Sequence, residues 1–150
     1  MDPAILSIAY RLLHLLGMGI LVGGALVLAM SAVGAADSQT RWLCLALRYE
    51  RLFWPVLALQ VLTGVGNIGT LGEAVPGPAT LWGGWLALKF IAIGLVVPLS
   101  LTRTVAVARL VAVSERALPA RGMSMFGRMY LTSAALLAAV VYLAVRLAHG

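Results

Sequence analysis

A histidine and a methionine four residues apart carry the clearest chemistry in this sequence. His14 and Met18 stand within the apolar stretch Ile5–Met30, and their spacing puts both side chains on one helix face. Imidazole nitrogen suits copper, iron and zinc, whereas a thioether sulfur selects Cu(I), so the pair could hold a copper ion. His14 alone could instead ligate a haem iron, or it could only hydrogen-bond to a neighbouring helix while Met18 packs. Arg11 lies three residues before His14 on the same side.

Further polar side chains occur inside later apolar stretches. Lys89 could pair with an anionic ligand such as a haem propionate, or its stem could extend toward the membrane surface. Gln60, Thr63 and Asn67 recur at three- and four-residue intervals, which indicates a polar stripe on one helix face. Because polar and charged groups are costly at membrane depth, we expect these side chains and those of the first stretch to face one another or a wet cavity.

The composition predicts elements that cross a membrane. Of the 150 residues, 62% are hydrophobic and 11% are charged, and the mean hydropathy is +1.01. Soluble domains have about a quarter of their residues charged. The length allows about four membrane spans. We therefore expect an all-α integral membrane bundle of four antiparallel helices, a single domain over 1–150, with helices at about 5–30, 47–71, 81–99 (or to 114) and 124–147.

Several functional classes find no support in the sequence. The arginines concentrate in two short segments between apolar stretches, which membrane topology explains without a nucleic-acid partner. The single cysteine, Cys44, excludes an internal disulfide and a multi-cysteine metal site within one chain. The sequence shows neither a Ser-His-Asp set nor a phosphate-binding glycine loop. No small-residue cleavage site follows the first stretch, so we expect it to be a mature helix rather than a signal peptide.

The basic residues predict an orientation in the cell inner membrane. Positive charge concentrates in the first and third connections between helices, which we expect in the cytoplasm, with both termini outside. His14 and Lys89 then lie roughly 12–14 Å below the outer ends of their helices, at a rise of 1.5 Å per residue, so they can share one layer. The arginines assigned to the two connections are Arg41, Arg48, Arg51, Arg103, Arg109, Arg116, Arg121 and Arg128.

Other residues have simpler expected roles. Glu50 stands between Arg48 and Arg51, and we expect these three to form an ion-pair group at the membrane interface. We expect Tyr130 to be an interface anchor. The methionine-rich segment 123–129 is typical of flexible interfacial packing, with a separate copper delivery point as the alternative. Four glycines of the first stretch would let another backbone approach closely and so permit a homodimer: Gly17, Gly19, Gly23 and Gly24.

Three stretches together resemble the membrane domain of the CopD/PcoD copper-resistance family. They are Leu13–Leu16 leading to Val22–Gly24, Arg48–Arg51 leading to Val61–Asn67, and Leu81–Phe90. In that family a histidine precedes a Gly-Gly pair, a T-G-x-x-N motif follows a basic helix start, and a lysine lies inside a later helix. The resemblance covers roughly residues 10 to 100. It implies that His14, Asn67 and Lys89 belong to the site.

This resemblance implies copper binding or transport across the inner membrane, often beside a periplasmic copper-binding partner. A weaker similarity to the four-helix HemJ-type protoporphyrinogen oxidases implies a b-haem redox protein instead, because those proteins also pair a first-helix histidine with a third-helix lysine. A third alternative is an accessory structural subunit of a larger membrane complex. For copper, the expected metal ligands are His14 and Met18, and the expected surrounding residues are Arg11, Gln60, Asn67 and Lys89.

Overall fold

The computed structural model describes the backbone of residues 3–33, 38–69, 80–112 and 120–149, and the side chains of residues 5–33, 38–64, 80–112 and 122–147. The described chain is all-helical, which confirms the predicted fold class at that level. Its four helices are α1 (Pro3–Ser31), α2 (Gln39–Gly69), α3 (Leu81–Ala112) and α4 (Ala120–His149).

The bounds of α2 and α3 differ most from the shorter predicted ones. α2 begins at Gln39 rather than near residue 47, because the segment expected to lead into the helix packs its own apolar face. Trp42, Leu43 and Ala46 are all buried there, at spacings that place them on one side of the helix. α3 continues without a break to Ala112, close to the longer of its two predicted ends.

Three helices are long and apolar enough to cross a membrane. Among the described residues, the candidate spans are Ile5–Ser31, Leu81–Ala112 and Gly122–Leu147. Large apolar side chains also cover much of the outer surface, as Leu15 and Leu16 show with exposed fractions of 67% and 65%. Such a surface is typical of contact with lipid rather than water. The fourth predicted span, 47–71, runs beyond the described side chains.

The four helices form a ring. α1 packs along α2 and α4, and α3 packs along α4, whereas α2 and α3 have less contact with each other. Two aromatic side chains of α2 tie it to the backbone of α1. Tyr49 Oη donates to the carbonyl of Leu21 (2.7 Å), and Trp42 Nε1 donates to that of Leu28 (3.1 Å). Gly24 makes room for the Tyr49 ring, because a Cβ at this position would collide with it.

A buried ion pair lies at the centre of the bundle. Arg103 of α3 is fully buried, and its Nε lies 2.7 Å from Oε1 of Glu50 on α2, which is 2% exposed. Arg103 Nη2 donates to Glu50 Oε2 (3.3 Å) and Nη1 donates to Ser133 (2.6 Å). The hydroxyls of Tyr130 and Thr104 donate to the two oxygens of Glu50, at 2.7 and 2.5 Å. The carboxylate is thus bound by the side chains of two other helices.

Aromatic rings enclose the guanidinium group. Its central carbon lies 4.6 Å from the ring centre of Tyr130, 4.8 Å from that of Phe53 and 5.5 Å from that of Tyr49. Aromatic faces attract a cation, and the attraction is stronger when water is excluded. The rings therefore stabilise the charge of Arg103 in addition to the ion pair.

This cluster corrects three predictions. The expected partners of Glu50, Arg48 and Arg51, are exposed on the outside of α2, whereas Glu50 faces inward and pairs with Arg103. Arg103 is part of α3 rather than of a connection between helices. Tyr130 is fully buried and hydrogen-bonded to Glu50, so its predicted role as an interface anchor was wrong.

We expect the Glu50–Arg103 pair to behave as one unit in stability measurements. Arg103→Met or Glu50→Leu alone should lower the free energy of unfolding by about 3–5 kcal/mol, because each leaves an uncompensated buried charge. The double variant should lose clearly less than the sum of the two. Unfolding of the detergent-solubilised protein would measure this, with Arg109→Gln, an exposed arginine of the same helix, as the control. Additive losses would contradict the assignment.

Candidate functional site

The imidazole of His14 is held by a threonine of the neighbouring helix. His14 Nδ1 lies 2.9 Å from Thr63 Oγ1, and that hydroxyl donates its single hydrogen to the carbonyl of Leu59 at 2.8 Å. We therefore assign the Nδ1–H tautomer, in which His14 donates to Thr63. The lone pair of the imidazole is then on Nε2. Histidines that bind metals are commonly fixed in this way through their second nitrogen.

His14 lines a cavity of about 220 Å³ between the four helices. Met18 of α1, Gln60 of α2 and Lys89 of α3 line the same cavity, so the structure brings four of the six predicted site residues together. Most of the remaining wall is apolar and comes from α2, α3 and α4, and it includes Leu57, Phe90, Ile93, Val96, Leu137 and Val140. A mainly apolar wall with a few convergent polar groups is typical of a binding site for a small ligand.

Gln60 is a buried amide without a hydrogen-bond partner. Its exposed fraction is 6%, and neither Nε2 nor Oε1 has a partner among the described residues. The amide fits against α1 because residue 17 is glycine, where a Cβ would collide with Nε2. Burial of an amide without a hydrogen bond costs roughly 2–7 kcal/mol, depending on the reference state. The nitrogen and oxygen of this amide are buried against α1 and do not open on the cavity, so Gln60 contributes to the wall but not to the hydrogen-bonding groups that a ligand can reach.

Lys89 brings positive charge to the cavity, and no carboxylate of the described residues lines the wall with it. Within the described part of the chain Glu50 is the only carboxylate, and it is bound to Arg103. The half-buried ammonium group of Lys89 thus lacks a counter-ion from the described residues. A cation in apolar surroundings is strongly favoured by a nearby anion.

The remaining predicted ligands lie elsewhere. Arg11 is exposed and does not line the cavity. Asn67 lies outside the described side chains. No group of three or more His, Cys, Asp or Glu side chains that could hold a metal occurs in the described residues. In the methionine-rich segment, Met123 packs in the core whereas Met125 is half exposed, and neither lines the cavity.

The cavity has a mouth between α2 and α3. Val61 of α2 and Phe90 of α3 both line it, yet 51% and 56% of these side chains are exposed. α2 and α3 also approach each other closely at fewer positions than the other neighbouring pairs of helices do. A molecule could enter there from the side of the bundle.

Sequence reasoning did not find the role of Thr63 as the acceptor for His14. The available signal was its place in the stripe with Gln60, three residues away on the same helix face. Because Thr63 lies on the same helix face as Gln60, it is placed to contact His14, another residue of the cavity.

Comparison with protein families, with curated proteins and with solved structures gives no match for this chain. The resemblance of this chain to the CopD/PcoD family and its weaker similarity to the HemJ-type oxidases therefore depend on short motifs alone.

Proposed function

We propose that this chain is a copper-handling protein of the cell inner membrane, and that Cu(I) binds at His14 and Met18. The observation that carries this proposal is the presence of both side chains in one cavity, with His14 Nδ1 fixed by Thr63 so that Nε2 can ligate. Imidazole and thioether together favour copper over harder metals. A periplasmic copper-binding protein is the partner that this function implies.

A b-haem redox protein of the protoporphyrinogen-oxidase type is the second candidate. It is favoured by Lys89, which lines the cavity with His14 and could bind a propionate or the iron. The volume of about 220 Å³ argues against it, because sites for ligands of moderate size measure roughly 300–1,000 Å³. A bound haem would require the helices to separate. If neither copper nor haem binds, an accessory role in a larger complex becomes the best interpretation.

In this proposal all four helices cross the bilayer, antiparallel, with both termini outside. Three hydrogen bonds support an antiparallel arrangement of α1 and α2, because the residue numbers rise along α1 and fall along α2. They join His14 to Thr63, Leu21 to Tyr49, and Leu28 to Trp42. The burial of Arg103 removes one arginine from the third connection. The positive charge of that region remains with Arg109, Arg116, Arg121 and Arg128.

The glycines of α1 divide into two groups. At Gly17 and Gly24 the space beside the backbone is filled within the same chain, by the side chains of Gln60 and Tyr49 respectively. Gly19 and Gly23 are different, since a Cβ at either would meet nothing within 4 Å. They are four residues apart on an apolar surface, a spacing that lets two membrane helices approach closely. We include in the proposal a homodimer through Gly19 and Gly23.

Copper binding should depend on His14 and on the residue that orients it. In competition with a coloured Cu(I) chelator, His14→Ala should weaken binding by more than about 100-fold, and Thr63→Val by about 10- to 100-fold. Met18→Leu should also weaken it. Met125→Leu, at an exposed methionine of α4, should have no effect and serves as the control.

An absorption spectrum of the same samples separates the candidates. A Soret band that disappears in His14→Ala would assign the site to haem and reject copper. Equal Cu(I) affinity in the wild type and His14→Ala would remove His14 as a ligand.

The orientation can be measured with single cysteines in a Cys44→Ala background. Thr40→Cys lies near the start of α2 and Leu81→Cys at the start of α3, and both positions are exposed. In intact spheroplasts, a membrane-impermeant maleimide should label Leu81→Cys, whereas Thr40→Cys should react only after permeabilisation. The reverse pattern would place the termini in the cytoplasm.

The dimer should depend on the open glycines of α1. Gly19→Leu and Gly23→Leu should convert a dimer to a monomer in chemical crosslinking within membranes, because the added side chains hold the helices apart. Gly94→Leu is the matched control, since Gly94 is likewise open, on α3. Equal crosslinking in all variants would contradict a dimer through this face.

A further inference from the structure

The cavity holds a positive charge that has no counter-ion among the described residues. Lys89 faces it, and within the described residues no carboxylate shares the wall. Glu50, the described carboxylate, is saturated by Arg103, Tyr130 and Thr104. An anion in the cavity would remove this imbalance, because a charge in apolar surroundings is stabilised by an opposite charge at short range.

Lys89 points to an oxygen anion as the ligand. Its ammonium group can donate a charge-assisted hydrogen bond to such an anion. Gln60 lines the same cavity, but its amide packs against α1 at Gly17, and the amide nitrogen and oxygen are buried and do not open on the cavity. The head of the ligand is therefore expected at Lys89.

The apolar lining of the cavity requires the part of the ligand beyond its charged head group to be apolar. The wall around Lys89 contains Leu57, Phe90 and Ile93, and the cavity measures about 220 Å³. That volume holds a small head group and a short apolar segment. A longer body can leave through the mouth at Val61 and Phe90, which opens on the lipid-facing side of the bundle.

The geometry points to a binding site for the carboxylate of a single-chain, fatty-acid-type amphiphile, with its head at Lys89 and its chain leaving between α2 and α3. This inference uses neither His14 nor Met18 and does not depend on copper. With copper present, the same carboxylate would offset the charge of the metal. The site is tested without metal, so its failure is distinguishable from the failure of the copper site.

The probe is oleate labelled with 13C at the carboxyl carbon, added to the full chain in phosphatidylcholine nanodiscs with a Cu(I) chelator present. We expect a carboxyl resonance distinct from that of oleate in the bilayer, saturating at one oleate per chain. Lys89→Gln should weaken this binding by about tenfold or more, because it removes a charge-assisted bond. Lys89→Arg should retain it.

Arg11→Gln is the matched control, because it removes an exposed cation that does not line the cavity. Oleate should bind this variant as it binds the wild type. Unlabelled oleate should displace the probe and methyl oleate should not; this comparison needs only the wild type and stands even if a Lys89 variant fails to fold. The proposal is overturned by the absence of a saturable resonance, by equal competition from the methyl ester, or by equal loss in Arg11→Gln and Lys89→Gln.

Discussion

The charge of Arg103 is the constraint on which the rest of the bundle depends. A guanidinium group cannot lose its proton in a protein, so a fully buried arginine must be compensated where it stands. Glu50 supplies the charge from α2, and Ser133 supplies an oxygen from α4. Tyr49, which faces the guanidinium, also binds the backbone of α1. One cation therefore sets the relative positions of all four helices.

The two cations inside the bundle, Arg103 and Lys89, have opposite surroundings. Arg103 therefore serves the fold, whereas Lys89 is available to a ligand. The charge of Arg103 is met by a bidentate carboxylate and aromatic rings, so nothing remains for a ligand to satisfy. Among the described residues, the polar side chains that line the cavity with Lys89 are those of His14 and Gln60, and neither is a carboxylate. A polar network that is fully bonded rigidifies a fold, whereas one that is incomplete needs an additional partner. The cavity is therefore the place where function is to be sought.

The apolar stretches were sufficient to predict an all-helical chain with four helices, and the depth argument led us to expect His14 and Lys89 in one layer. The inward direction of Glu50 was not predicted, because the predicted start of α2 near residue 47 put it among interfacial arginines. With α2 beginning at Gln39, Glu50 continues the buried series Leu43, Ala46 and Phe53. Arg103 similarly occupies the buried series of α3, Val96, Ser100 and Val107. Helical periodicity contained both signals, but their pairing required the packing of three helices.

The position of the cavity follows from the ion pair. Glu50 and Arg103 hold α2 against α3 at one level of the bundle. Val96, which lines the cavity, is seven residues before Arg103, about 10 Å along α3 at 1.5 Å per residue. Beyond that level no described side-chain hydrogen bond joins the two helices, and the cavity reaches the surface at Val61 and Phe90, which line it and are half exposed. α2 and α3 are joined at the level of Glu50 and Arg103, and the cavity between them opens at the level of Val61 and Phe90. The contact that stabilises the fold therefore also determines where a ligand can enter it.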